Sequence, residues 1–507
     1  MCGGTFMLLL DTTIVNVALP AIQRGLGADF TDVQWVVDAY ALTLAVLLLT
    51  AGSLADRFGR RLFYVLGAVV FTAGSLLCGL AQTPAMLILS RALQGVGASV
   101  MFATGLALLG GAFEGKQRGT AFGIWGMVTG LASALGPVVG GLLTSGVSWR
   151  AIFLVNLPIG AAVVAIMIWR VDELPRGRAR KQDKAGFALF TVGLTGLVYG
   201  LIRAGETSWG DTGTLASLTS GVLLLAAFLI TESVVAEPML DLRLFRIPTF
   251  VGGSVAALAM NGSMFTMFLF VALYFQDVLG YSALETGVRL LIPSAAMLVS
   301  SFLGGRLTGR VPVRYPIGLG LVVVGLGLFL MGGISISTGW EHFIPGSIVA
   351  GLGAGLVNPP LASTAVGVVV QSRSGMASGI NSTFRQVGYS ASVAVLGSVF
   401  ATIISNRLRD GLTGTELGGR AGELSAQVRA GDLDTAVAST PERFHAQVDQ
   451  MATSGFVSGI GMLITITACI ALAGGVVSLL LIRERDFAAA QEQLSPRPDV
   501  SEGAAAG

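Results

Sequence analysis

Five ionisable side chains stand inside long apolar stretches of this 507-residue chain, and they are its first candidates for chemistry. The five are Asp11, Asp38, Arg91, Arg289 and Arg385. A charged group at the centre of a membrane costs at least about 2.5–3.5 kcal/mol, so it persists only when it is paired or lines a wet cavity. A carboxylate in such a place can bind and release a proton, and a neighbouring arginine sets how readily it does so. Proton exchange is therefore the chemistry to test first.

The position of each charged residue along its apolar stretch gives an expected depth. With a rise of about 1.5 Å per residue, Asp11 lies roughly 16 Å from the outer end of its stretch, Arg91 about 10 Å and Asp38 about 8 Å. Asp38 thus matches Arg91 in depth better than Asp11 does. We predict that these three residues form a coupling cluster in which one carboxylate is alternately protonated from outside and deprotonated inside. The alternative is a permanently paired salt bridge with a structural role.

Composition places these charges in a multi-span membrane protein. Hydrophobic residues make up 53% of the chain and charged residues 12%, and the mean hydropathy is +0.77. No single soluble core hides that much apolar surface. The net charge of +2 gives no reason to expect a nucleic-acid partner. The three scattered cysteines indicate neither a disulfide framework nor a metal site, and no phosphate-binding G-x-x-x-x-G-K-[ST] motif is present. We expect no enzyme activity, no metal and no cofactor, with the proton as the coupling ion.

Apolar stretches of about 20 residues, the length that crosses a hydrocarbon layer of roughly 30 Å, recur along the chain. We predict an all-α integral membrane protein with fourteen spans, and we take the start of the chain as part of the first span and not as a signal peptide. The spans lie near 5–23, 34–54, 62–81, 85–111, 120–145, 151–170, 186–204, 214–234, 249–273, 284–305, 314–336, 343–366, 376–404 and 453–482.

The distribution of basic residues orients this array. If the turn after the second span is cytoplasmic, inside segments hold twenty of the 31 Lys and Arg residues and outside segments eight. Basic residues near the spans favour the cytoplasmic side. Both termini are therefore predicted to be cytoplasmic, in the plasma membrane.

A weak internal repeat divides the predicted chain into units. GSLADRFGRR at 52–61 joins spans 2 and 3, and the related GGRLTGRVPVR at 304–314 joins spans 10 and 11. Repeated halves are a common transporter construction. We predict four units: a six-helix bundle at 1–170, a linker with two inserted spans at 171–248, a second six-helix bundle at 249–482 with an external loop at 405–452, and a disordered cytoplasmic tail at 483–507.

The first hairpin has the residues of a latch between two bundle arrangements. Gly52 and Gly59 allow a close backbone approach. Asp56 can accept hydrogen bonds from Arg57, from Arg60 or from the end of a neighbouring helix. The alternative is that the hairpin only anchors the topology.

The predicted fifth span carries small residues at helical spacing. Gly126 and Gly130 form one G-x-x-x-G pair and Gly136 and Gly140 another, which allows close helix packing. Pro137 removes a backbone hydrogen bond and should bend the span. This face is either a sliding contact between the bundles that seals against protons or an ordinary tight helix contact.

Taken in order, these and other strings resemble the major facilitator superfamily in its fourteen-helix drug:proton antiporter branch. That resemblance implies two six-helix bundles plus two inserted helices, with Asp11 and Arg91 at the positions of the family's first-helix aspartate and fourth-helix arginine. It also implies a proton-coupled exporter. The matching strings are LDTTIVNVALP (10–20), GSLADRFGRR (52–61), SRALQGVGAS (90–99), GLASALGPVVGG (130–141), YFQDVLGYSALETGVRLLIPS (274–294) and NSTFRQVGYS (381–390).

Cargo is the least constrained prediction. Methionine and aromatic side chains on the ninth span suit flat lipophilic compounds, and a polar face on the thirteenth span adds hydrogen-bonding groups. We expect a monomer that contacts membrane lipid and exports a lipophilic or cationic small molecule. An importer or exporter of one metabolite, a facilitator and a membrane sensor without transport are the alternatives. The predicted cavity residues are Asn16, Gln94, Met264, Phe268, Asn381, Arg385 and Gln386.

Overall fold

The architecture was obtained as a computed structural model. It describes residues 1–28, 30–113, 115–173, 183–206, 209–235, 238–308, 310–369, 373–412, 417–424 and 437–487. Within those ranges the regular structure is helical, apart from one isolated bridge between Thr308 and Val311. Most of the predicted tail, from residue 488 onward, lies outside the described residues.

The first half of the chain folds into helices that pack against one another through small residues. Gly97 of the fourth helix, for example, lies against the backbone of Phe71 in the third. Close approach of this kind is how helices associate where water supplies no driving force. The helices are α1 (Cys2–Leu26), α2 (Phe30–Phe58), α3 (Arg60–Gly79), α4 (Pro84–Ala112), α5 (Gly115–Gly146), the single turn α6 (Ala151–Leu154) and α7 (Asn156–Arg170).

The second half begins with a pair of helices that pack on each other through Gly193, Gly196 and Gly221. The remaining helices surround one large apolar core. In order, the helices are α8 (Lys184–Glu206), α9 (Thr212–Val234), α10 (Pro248–Met260), α11 (Thr266–Leu273), α12 (Ala283–Arg289), α13 (Leu291–Leu307), α14 (Arg314–Leu330), α15 (Phe343–Gly367), α16 (Ser374–Leu412) and α17 (Glu442–Leu481). A π-helical turn, Asn261–Phe265, joins α10 to α11 without ending the span.

Twelve helices in the described part of the chain are long and apolar enough to cross a membrane. Two further apolar elements fall outside that number. One is α1, which bends by 49° between Cys2–Val15 and Val17–Leu26, and the other is α14, which is apolar but shorter than the rest. The predicted membrane fold is confirmed as all-helical and multi-span, and the count of fourteen stays a prediction.

The predicted external loop at 405–452 is shorter than expected. α16 continues to Leu412 and α17 begins at Glu442, so both helices extend into it. The physical reason is a small apolar cluster beyond the spans, in which Leu408 and Leu412 pack against Val448. Because this stretch is mostly polar, the apolar residues that pack the two helix ends together were not recognised from the sequence.

Candidate functional site

Asp11 on α1 and Arg91 on α4 form a buried ion pair in the first half of the molecule. Arg91 Nη1 donates to Asp11 Oδ2 at 2.6 Å, and the two side chains are 1% and 0% exposed. The other carboxylate oxygen, Oδ1, accepts from Asn156 Nδ2 at 2.8 Å and from Gln94 Nε2 at 3.2 Å. Three donors therefore converge on one carboxylate, which is the arrangement that stabilises its charged form.

The Arg91 guanidinium is held on its other sides as well. Its Nε donates to the carbonyl oxygen of Val36 on α2 at 3.1 Å, and Nη1 also donates to Gln94 Oε1 at 2.9 Å. The ring of Tyr40 lies 4.2 Å from the guanidinium carbon, in cation–π contact. The pair thus links α1, α2 and α4, and a change of charge at Asp11 reaches all three helices.

Neutral polar residues complete this cluster, and most of them escaped the sequence analysis. Gln94, predicted as a cavity residue, is fully buried here and donates to Ser75 Oγ at 2.6 Å. Asn156 reaches the same cluster from the start of α7 and is also fully buried. The available signal for Asn156 was an amide at the start of an apolar stretch.

Asp38, the third predicted member of the cluster, lies on a different side of α2. Val36 and Tyr40, which touch Arg91, are four residues apart and share one face of the helix. Asp38 is two residues from each, so it points away from them. It lies close enough to Tyr389 on α16 for an electrostatic interaction. The role of Asp38 in the coupling cluster stays a prediction, because equal depth along two helices does not fix which faces meet.

The hairpin aspartate caps a helix of the opposite half. Asp56 accepts hydrogen bonds from the backbone N–H groups of Gly375 and Met376, each at 2.9 Å, in the first turn of α16. Arg60 Nε donates to the same carboxylate at 2.8 Å. A carboxylate at a helix N-terminus meets unpaired N–H groups and the positive end of the helix dipole. Asp56 therefore joins the hairpin to the start of α16, and the latch stays a prediction.

The two glycines of this hairpin have separate reasons to be glycine. A Cβ on Gly52 would collide with the carbonyl oxygen of Gly375. Gly59 has φ = 117°, a conformation that side chains disfavour. Arg57 lies over the ring of Phe58, with 5.0 Å between the guanidinium carbon and the ring centroid.

The glycine stretch of α5 serves two different contacts. At Gly126 an added Cβ would lie 2.9 Å from Pro359 Cγ on α15 and 3.2 Å from Ser301 on α13, and Gly130 also faces α13, so these two glycines lie between the halves. Farther along, Gly136 and Gly140 face Thr13 and Ile14 of α1 within one half.

Pro137, inside α5, lies against Gly287 of α12. The stretch predicted as a single sliding face is thus divided between a bundle interface and an internal contact.

Arg385 on α16 is a partly buried cation of the second half. Its Nε donates to Asn381 Oδ1 at 3.1 Å and its Nη1 to Asn358 Oδ1 at 2.9 Å. Within the described residues it has no ion pair, and the buried atoms Arg385 Nη2 and Asn358 Nδ2 have no hydrogen-bond partner. Asn358 was missed by the sequence analysis.

The other predicted cavity residues lie in different surroundings. Met264 is 1% exposed in the apolar core of the second half, and Phe268 packs against that core. Gln386 is partly buried on α16. Asn16 belongs to α1, and its side chain lies outside the described part of the structure. Arg289, the last in-span cation, lies 3.7 Å from the centroid of the Tyr281 ring.

Comparisons with known proteins agree with the architecture and the motifs. Residues 1–393 match the family model described as Major Facilitator Superfamily. The multidrug resistance protein Stp of Mycobacterium tuberculosis is 39% identical over 411 residues, covering 80% of this chain and 75% of that protein. The tetracenomycin C resistance and export protein of Streptomyces glaucescens is 34% identical over 487 residues, covering 94% and 89%.

Further matches extend these two findings. The puromycin resistance protein pur8 of Streptomyces alboniger is 38% identical, with 78% of this chain and 80% of that protein covered. Among solved structures, the human organic anion transporter MFSD10 (TETRAN) superposes with a TM-score of 0.64 at 12% identity, covering 94% of this chain and 97% of that one. At that identity the likeness concerns the fold alone. The family expected from the motifs is confirmed.

Proposed function

The chain belongs to the Major Facilitator Superfamily, and on that premise we propose that it exports drugs, antibiotics or other lipophilic small molecules in exchange for protons. It is a multi-pass transporter of the plasma membrane and not an enzyme. The cargo class is carried over from relatives that are named as resistance and export proteins. We further propose fourteen spans, with bent α1 and short α14 crossing the membrane and both termini in the cytoplasm.

The observation that carries the proposed coupling is the buried Asp11–Arg91 pair. With Asp11 ionised, the pair is neutral and both carboxylate oxygens of Asp11 accept hydrogen bonds. A proton on Asp11 cancels its charge and leaves Arg91 as a buried cation. The conformation that best solvates or re-pairs Arg91 is then favoured, so proton binding shifts the equilibrium between the inward- and outward-facing states.

The proposed alternating access uses the contacts between the halves. At the hairpin end, Asp56 holds the start of α16, and Gly119 of α5 lies against Gly305 of α13. These contacts close that end. Opening it requires loss of the Asp56 hydrogen bonds and separation of α5 from α13, while the contact of Gly136 and Gly140 with α1 remains inside one rigid half.

Proton coupling supplies enough energy for export. One proton crossing 100 mV releases about 2.3 kcal/mol, and one pH unit adds about 1.4 kcal/mol. Together these sustain a gradient of roughly 500-fold for a neutral cargo. No resident cofactor is part of the proposal.

The test is efflux in cells that express the chain. A panel of antibiotics and dyes should accumulate less in these cells, and a protonophore should abolish the difference. In everted vesicles, addition of an exported compound should release protons from the acidic lumen. Efflux that persists with the protonophore contradicts coupling and favours a facilitator, while cargo uptake driven by the same gradient favours an importer of a metabolite.

A further inference from the structure

We propose that Arg385, Asn358 and Asn381 form a subsite that binds the acidic group of an organic anion, such as a carboxylate, phenolate or sulfonate. The inference rests on the proposed export function, whose cargo class it narrows. It replaces the cationic cargo that the sequence analysis allowed with an anionic one. The evidence for this subsite is the set of hydrogen-bond donors and acceptors around Arg385.

This set has more donors than acceptors. Arg385 uses Nε and Nη1 on the two amide oxygens, and its Nη2 stays buried without an acceptor. Arginine offers five N–H donors in a planar fork and has no acceptor of its own. Within the described residues, no carboxylate pairs with Arg385.

The guanidinium also fixes how the two amides are turned. Each amide must direct its oxygen toward Arg385, because its NH₂ group would face another donor. The NH₂ group of Asn358 consequently points away from the arginine, and it is buried without a partner. Two donor groups therefore lack an acceptor: Nη2 of the positively charged Arg385 and the neighbouring NH₂ group of Asn358. A buried group of this kind costs free energy until an acceptor arrives.

The position of the group suits cargo binding. Arg385 is eleven residues from the start of α16 and Asn358 nine from the end of α15. With a rise of about 1.5 Å per residue, both lie roughly 14–16 Å from the hairpin end, near the middle of the membrane. Pro359, next to Asn358, contacts Gly126 of the opposite half. The group is therefore adjacent to the interface that alternating access opens.

Aromatic side chains lie beside the group. Asn381 lines a small cleft together with Phe250 and Ser254 of α10. The ring of Phe245 lies 5.5 Å from that of Phe250 and 6.3 Å from that of Phe384, the neighbour of Arg385. A ligand whose acidic group binds Arg385 and whose aromatic part packs on these rings is a lipophilic organic anion.

The test compares two probes that share one shape. Naphthalene-2-carboxylate and naphthalene-2-carboxamide have the same ring and differ in charge, so their relative affinity isolates the acidic group. We expect the purified full-length protein in neutral detergent to bind the carboxylate about tenfold more tightly than the carboxamide, as measured by calorimetry. Equal affinity for the two probes, or no measurable binding of the carboxylate, overturns the proposal.

Two variants locate the preference. Arg385→Gln removes the cation, and Asn358→Asp keeps it but supplies an internal carboxylate partner, so both should lose the preference for the carboxylate. Arg420→Gln is the matched control, since Arg420 is an exposed arginine paired with Glu423 far along the chain, and it should retain the preference. If Arg385→Gln fails to fold, Asn358→Asp decides. A preference that survives in Asn358→Asp overturns the proposal.

The outcome is separable from that of the export experiment. Loss of protonophore-sensitive efflux with an intact carboxylate preference contradicts the proposed export and leaves the anion subsite standing. Efflux of neutral or cationic dyes by a protein without that preference contradicts the subsite and leaves proton-coupled export standing.

Discussion

Each half of the molecule holds an arginine within a predicted span, and the two arginines have different partners. In the first half, Arg91 is paired with the carboxylate of Asp11. In the second half, the hydrogen-bond acceptors of Arg385 among the described residues are the amide oxygens of Asn358 and Asn381. A neutral pair becomes charged when it takes up a proton, whereas an uncompensated cation becomes neutral when it takes up an anion. The same side chain thus suits a proton site in one half and an anion site in the other.

The largest effect is expected when the carboxylate that pairs with Arg91 is removed. Asp11→Asn should abolish proton release on cargo addition in everted vesicles, with transport falling at least about 100-fold, because the proton has lost its site. Asp38→Asn is the control, since Asp38 lies on the opposite face of α2 and should keep most of the proton release. Normal proton release by Asp11→Asn would make the Asp11–Arg91 pair purely structural.

The next largest expected effect is on the free energy of unfolding of the Asp11 variant. Asp11→Asn leaves Arg91 buried without its counter-charge, which should cost about 3–5 kcal/mol. Adding Arg91→Gln removes the orphaned cation, so the double variant should be more stable than Asp11→Asn alone. Thermal unfolding in detergent measures both. A double variant that is less stable than either single variant would show that the pair does not act as a unit.

Adding a carboxylate beside Arg385 should give the second half the kind of ion pair that the first half has. Asn358→Asp supplies Arg385 with a carboxylate, so the variant should unfold at a higher temperature, by an amount that corresponds to about 1–2 kcal/mol. Asn381→Ala, which takes away an acceptor, should shift the transition downward. A fall in stability for Asn358→Asp would mean that an unseen acceptor already compensates Arg385.

The contrast between the arginines was only partly predictable from the sequence. Charged residues in apolar stretches are visible at once, so Asp11, Arg91 and Arg385 were identified. The amides Gln94 and Asn381 were identified as well, but Asn156 and Asn358 were not, because rise along a helix gives depth and says little about which face meets which helix. Asparagine and serine are common enough within spans that Asn156 and Asn358 do not stand out. The sequence does not show that Arg91 pairs with a carboxylate and Arg385 with amides, because these partners meet only when the helices pack.

The α5 glycines show the same limit on a smaller scale. Spacing predicted one small-residue face, but Gly126 lies between the halves and Gly136 lies within one. Gly126→Ala should slow transport several-fold, because a methyl group there meets the rigid ring of Pro359 at 2.9 Å. Gly146→Ala on the same helix is the matched control, since nothing lies within 4 Å of its added Cβ. Equal transport rates in the two variants would remove the α5 interface from the gating motion.

The smallest effect is expected at the hairpin, where the halves are joined by a carboxylate and a helix end. Asp56→Asn removes the negative charge that faces the N-terminus of α16, an interaction of about 0.3–1 kcal/mol. The open form of this end should then be populated up to about fivefold more. Maleimide labelling of Ser301→Cys, which is buried between α13 and its neighbours, should accelerate by the same factor. Arg57→Gln should leave the rate unchanged because Arg57 contacts Phe58 rather than α16. Equal labelling rates for Asp56→Asn and Arg57→Gln would reduce the hairpin to a topology anchor.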